Sequence, residues 1–185
     1  KTTTREALRS VLQRHTAVHA AEKSFNTWIG CALTMLSMPE KTDTVLLEMG
    51  ANHPGEIKAL VDAYPPTVAV ITEVAEAHLE GFGSLEGVLR AKWEITSSRR
   101  LRMLSYNADN DALCRLVSSS LLPEIYTVPV GYGADANRGV RLATADMVLH
   151  DGRPLLRCRG FVYGRPVELM SNLFGTQHAY TMGYV

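Results

Sequence analysis

Apolar residues recur along this chain at two spacings, and each predicts a different kind of element. From Thr3 the positions Ala7, Leu8, Val11 and Leu12 share one face of a 3.6-residue repeat. That predicts a helix to about Arg14, with threonines ahead of it as candidate caps and Glu6 in its first turn. A polar connection follows, then NTWIGCALTMLSM, dense and long enough for a buried helix that Pro39 ends. TVLLEMG (44–50) and TVAVIT (67–72) are short, partly β-branched runs bounded by Asp, Gly and Pro, as strands covered on both faces require. Between them PGEIKALVDAY places Ile57, Leu60 and Val61 on one face, so the stretch reads as a βαβ unit with a right-handed crossover. A helix over about 84–98, a strand RMLSYN and a helix over about 109–119 continue the alternation. After Pro123 the texture changes, because Asp-Gly and Tyr-Gly pairs punctuate short alternating runs, and antiparallel hairpins are expected instead. The predicted fold class is α/β: a mostly parallel, helix-covered core over 1–122, a mainly antiparallel region over 123–174 and the start of a helix over 175–185.

Composition narrows the class without naming a function. The 185 residues can bury one substantial core, and 46% hydrophobic with 21% charged residues is an ordinary globular balance. Nineteen basic and nineteen acidic residues cancel, which removes any overall field for nucleic acid or an anionic membrane. Three cysteines, Cys31, Cys114 and Cys158, are odd in number, widely spaced and outside any CxxC pattern. They read as buried thiols of a reducing cytoplasm, not as a disulfide framework or a zinc site. No run approaches the roughly 20 apolar residues of a membrane span, and no signal peptide is visible. The reading is a cytoplasmic monomer with no nucleic-acid partner and no membrane insertion.

Three stretches carry chemistry. KTTT at the head of a helix reads first as an ordinary capped helix, and second as the latter half of a phosphate loop, where a lysine reaches terminal phosphates and a hydroxyl ligates Mg²⁺. Glu48 closes a strand, where open α/β sheets collect ligand contacts; it is either a metal- or water-orienting carboxylate or an acid facing solvent. His78 lies just beyond the next strand and is either a hydrogen-bonded structural histidine or a ligand, and Lys92 interrupts an apolar helical pattern of Leu85, Val88, Leu89, Trp93 and Ile95, where a lysine's stem can also pack while its ammonium reaches water.

Taken in order and spacing, KTTTRE, FNTWIGCALTML, LLEMGANHPGEI, AVITEVAEAHLEGFGSLEGVLRAKWEI and SYNADND resemble the central ATPase domain of the Mur ligases, with a weaker likeness at LFGTQHAY. The resemblance implies a P-loop-type sheet, ATP and two Mg²⁺ ions. Within the family it points to the branch that joins D-alanyl-D-alanine to UDP-N-acetylmuramoyl tripeptide through an acyl phosphate. It implies catalytic roles for Lys1, Glu48, His78 and Lys92, and nucleotide contacts for Lys1, Thr2, Thr3, Asn107, Gln177 and His178. Metal association falls to Thr2, Glu48, His78 and Lys92, the last as a carbamate formed with CO₂, and Asn26 and Thr27 meet the nucleotide-sugar peptide. The chain departs from the family pattern at Glu73 and Thr27, where asparagine is usual, and at Gln177 and His178, which stand in exchanged order. The resemblance also implies that the chain starts inside the phosphate loop, without its glycines or the flanking domains, so that alone it binds ATP poorly. Two other readings fit the same motifs: a related ligase with another acceptor, as in folate polyglutamylation or peptide-polymer synthesis, and a non-catalytic ligase-like binding module.

Overall fold

The helix at the head of the chain, α1 (Thr2–Leu12), buries polar residues where its apolar stripe was expected to go: Thr4 and Arg5 are inside, while Val11 is 41% exposed. No threonine caps it; Lys1 takes the cap position without a side-chain bond. The computed structural model describes residues 1–75, 79–120, 122 and 124–185. By their contacts these form two compact units, one of residues 1–67, 74–101 and 185, the other of 68–73 and 102–184.

In the first unit α1 leads to β1 (Val18–Ala20), α2 (Trp28–Leu36), β2 (Thr44–Leu46), α3 (Glu56–Ala63), α4 (Leu79–Phe82) and α5 (Leu85–Trp93), with a 3-10 turn over Glu94–Ser97. β1 was not expected, since three residues in a polar connection are too few to show alternation. It pairs in parallel with β2, Val18 opposite Thr44 through Ala20 opposite Leu46. The Thr27 hydroxyl caps α2 by accepting the Gly30 N–H at 3.4 Å. Cys31 and Thr34 point inward, but Trp28, Ile29, Leu33 and Leu36 are exposed, so α2 is not the buried helix its apolar density suggested. α3 buries Ile57, Leu60 and Val61 as its spacing requires. Its N-terminus is closed from a distance: the Glu94 carboxylate accepts the N–H groups of Gly55 at 2.7 Å and Lys58 at 2.9 Å.

The second unit is built on a six-stranded sheet in sequence order: β3 (Val68–Ile71), β4 (Met103–Asn107), β5 (Tyr126–Gly131), β6 (Val140–His150), β7 (Arg153–Val162) and β8 (Arg165–Ser171). α6 (Asp111–Ser119) joins β4 to β5, and α7 (Ala179–Gly183) follows a 3-10 turn over Thr176–His178. The strands flanking α3 thus belong to two sheets, β2 with β1 and β3 with β4, where one βαβ pair was expected. The antiparallel region also starts one strand late. β5 runs parallel to β4 and meets β6 in parallel at Val130–Val140, because alternation marks a strand without giving its direction.

From β6 onward the hairpins follow the expected turns. Asp151-Gly152 has φ of 50° and 74°, and Tyr163-Gly164 has 47° and 77°. Both central residues are left-handed, the geometry that matches strand twist in two-residue hairpins. A bulge between Leu142 and Thr144 bends β6 opposite Gly160. The core of this unit gathers Leu142, Leu156, Cys158, Ala179 and Met182, and beside them Val128, Val130 and Tyr184.

Candidate phosphate and metal site

Glu48 follows β2 by two residues and is 6% exposed. A carboxylate buried this far must be hydrogen-bonded or paired, and the surrounding segments supply the partners. The Thr2 hydroxyl, freed from any capping duty, donates to Glu48 Oε2 at 2.8 Å. The Ser24 hydroxyl lies 3.1 Å from Thr2 Oγ1 and, with the threonine hydrogen already directed at Glu48, donates to it. Asn26 donates from Nδ2 to Glu48 Oε1 at 3.3 Å. Arg5, 5% exposed, brings Nη1 to 3.5 Å from Oε2, and the same nitrogen donates to the Lys23 carbonyl at 2.7 Å. The Lys1 ammonium stands 3.3 Å from where a side chain on Gly50 would begin, and the Gly50 N–H donates to the Asn26 carbonyl at 2.8 Å.

Lys1, Thr2, Asn26 and Glu48 are therefore neighbours in space, although the chain separates them by up to 47 positions. Thr3 lies half-buried on α1, and the Thr27 hydroxyl is engaged in capping α2. Lys92 sits half-buried on α5 beside buried Ala91, and His78 lies outside the described residues. Arg5 and Ser24 were not foreseen. Arg5 stands in the KTTTRE motif on a helix whose polar residues read as outward-facing, and a single serine in a loop carries no periodic signal.

Among the described residues no group of three or more His, Cys, Asp and Glu side chains gathers to hold a metal. What the Glu48 cluster offers is a carboxylate and a hydroxyl, oxygen ligands of the kind a hard, water-retaining divalent cation prefers. The residues present fit such an ion.

In the second unit Asn107, at the end of β4, is 4% exposed and uses both ends of its carboxamide. Nδ2 donates to Glu73 Oε2 at 2.9 Å, and Oδ1 accepts the Asp109 N–H at 2.9 Å. Asn110 donates to the other Glu73 oxygen at 3.1 Å. Gln177 is exposed and His178 half-buried in the turn before α7. Burial works to raise the Asp109 carboxyl, but the Tyr180 hydroxyl and the Gly133 and Tyr132 amides outweigh it and hold it below the ordinary aspartate range. Burial, and then the bond to Asp109, pushes the Tyr180 phenol well above its usual value.

The Mur ligase middle domain family matches residues 1–180. The chain belongs to that family. This Mur ligase middle domain is 38% identical over 119 residues to the UDP-N-acetylmuramoyl-tripeptide–D-alanyl-D-alanine ligase of Rickettsia prowazekii, covering 64% of this chain and 26% of that protein. To the ligase of the same name from Bacillus subtilis it is 44% identical over 95 residues, 51% of this chain and 21% of that one. Among solved structures, the MurF ligase of Thermotoga maritima in complex with ADP superposes with a TM-score of 0.82 at 26% identity, covering 99% of this chain and 41% of that chain. MurF from Acinetobacter baumannii has the same fold, with a TM-score of 0.85 at 22% identity over 99% of this chain and 38% of that one. The middle domain thus spans about a quarter of the length of the curated relatives it matches.

Proposed function

We propose that this Mur ligase middle domain is the ATP- and Mg²⁺-binding part of a ligase that joins D-alanyl-D-alanine to UDP-N-acetylmuramoyl tripeptide in peptidoglycan precursor synthesis. The observation that carries the reading is the Thr2–Glu48 bond beside Lys1, an acid, a hydroxyl and an ammonium gathered from two segments. The names of the curated relatives and the ADP-bound MurF neighbour support the substrates and the nucleotide. The free cysteines fit a reducing cytoplasm, and we take the ligase to act there as a monomer.

In this reaction the tripeptide carboxylate attacks the γ-phosphorus of ATP. A C–O–P linkage forms, the bond to ADP breaks, and the amine of the dipeptide then displaces phosphate as the C–N bond forms and the amine sheds a proton. Two anions must meet in the first step, so positive charge at the phosphates is the main requirement. Lys1 supplies an ammonium that reaches the terminal phosphates. Thr2 and Glu48 hold Mg²⁺, with His78 assigned to the same role. When bound, that ion supplies the Lewis-acid charge that offsets the repulsion. Arg5 holds the Glu48 carboxylate in place from behind. Lys92 is assigned to a second Mg²⁺ as its carbamate, formed when the neutral amine adds to CO₂ with loss of a proton. An unmodified lysine, with a pKa near 10.4, would instead repel the ion. Asn26 and Thr27 are assigned to the nucleotide-sugar peptide, Thr3 to the phosphates, and Asn107, Gln177 and His178 to the nucleotide base.

The test is phosphate release by the ligase that carries this domain, given ATP, Mg²⁺, UDP-muramoyl tripeptide and D-alanyl-D-alanine. Release dependent on both substrates is expected. Release that requires a different acceptor amine would move the protein to another branch of the family, and none with any acceptor would remove the catalytic reading.

A further inference from the structure

Asp109 ties together segments that lie far apart in the sequence. Its Oδ2 accepts the Tyr132 N–H at 2.7 Å and the Tyr180 hydroxyl at 2.6 Å, and its Oδ1 accepts the Gly133 N–H at 2.6 Å. Its own N–H donates to Asn107 Oδ1. A Cβ on Gly131 would lie 2.6 Å from Oδ2, so the end of β5 admits the carboxylate only because a glycine stands there. The Tyr132 and Tyr180 rings meet edge to face, 5.8 Å between centroids, and flank the bonded groups.

α7 does not need Asp109 to stay on the sheet. Ala179 and Met182 are already in the core, as is Tyr184, whose hydroxyl donates to the Thr72 carbonyl at 3.2 Å. What the Tyr180 bond adds is a fixed placement of the first turn of α7, two residues after His178, relative to the bend that carries Asn107. We infer that Asp109 is a positioning residue for the nucleotide base: it locks the Asn107 bend and the Gln177–His178 turn at one separation, so that the base meets a preformed seat. The inference rests on the nucleotide reading given above.

The test compares the wild-type ligase with Asp109→Asn and Tyr180→Phe, measuring ADP affinity by calorimetry, KM for ATP against kcat, and thermal midpoint. Losing one hydrogen bond to a charged group should raise the ADP Kd and the ATP KM about tenfold. Meanwhile kcat and the KM values of the other substrates should stay near wild type. Tyr180→Phe removes a single oxygen and decides the matter if Asp109→Asn does not fold. Variants that bind ADP as the wild type does overturn the role of Asp109 alone, and so does a fall in kcat at unchanged KM. A wild-type ligase that binds no ADP overturns the nucleotide reading, and the inference with it.

Discussion

Glu48 and Arg5 form a buried pair on which the fold and the proposed chemistry both depend. Both are about 5% exposed, and the guanidinium is the cation nearest Glu48 among the described contacts. Arg5→Met should therefore leave a buried carboxylate without its charge partner and cost about 3 kcal/mol in a urea unfolding series. Glu48→Gln keeps the shape and removes the charge, so folding should survive while ligase kcat falls about a hundredfold, the scale of losing one preorganised electrostatic contact. Lys92→Ala tests the carbamate: turnover should collapse and recover partly with added short-chain carboxylate, whereas unchanged turnover would dismiss it. The Asp109–Tyr180 bond predicts a pH window. The carboxyl is held low in the fold, so its contribution is present above the ordinary aspartate pKa of about 4 and is lost as pH falls through its depressed value. The phenol is held high, so its contribution is present below about 10 and is lost as pH rises beyond that. Equilibrium unfolding of wild type and Tyr180→Phe across pH 3–11 should show the gap between them narrow at both ends. Place at the edge of a periodic run made Lys1, Thr2 and Glu48 candidates, and the resemblance of the ordered motifs to the family, not periodicity, singled them out. Asp109 could not, because its partners stand 23, 24 and 71 positions away and no local pattern links them.

At the scale of elements, periodicity located helices and strands and was silent on their surroundings. α3 behaved as its stripe required, yet what closes its first turn is Glu94, 36 to 39 residues downstream. Glu94→Ala should destabilise the fold by about 1 kcal/mol in chemical denaturation, as removal of a helix cap does. α2 was misread as buried because apolar density is the same whether a face packs inward or stays open. The direction of β5 was hidden for a related reason, since the same alternating residues suit either neighbour. The turns were legible because Asp-Gly and Tyr-Gly name a backbone conformation. Two glycines of the meander make contrasting tests. Gly152→Ala meets no neighbour and should cost about 1 kcal/mol for its left-handed backbone. Gly160→Ala would place a methyl 2.2 Å from the Arg141 carbonyl, so it must part β6 from β7 and should cost clearly more in the same assay.

For the molecule as a whole, the fold class and the family motifs were readable, but the division into two units was not. That division cuts the chain around β3, whose four residues belong with 102–184 although both flanks belong to the other unit. No run of composition marks such a boundary. The meander of β6, β7 and β8 has a kinetic consequence. Each of its strands pairs with its sequence neighbour across a two-residue turn, so this ladder closes short loops, whereas joining β3 to β4 must close a loop of about thirty residues. Local pairings form faster than distant ones. During refolding, amide protons of 140–171 should therefore gain protection before those of 68–71, and the last third of the chain offers the nascent sheet an edge on which its parallel strands can add.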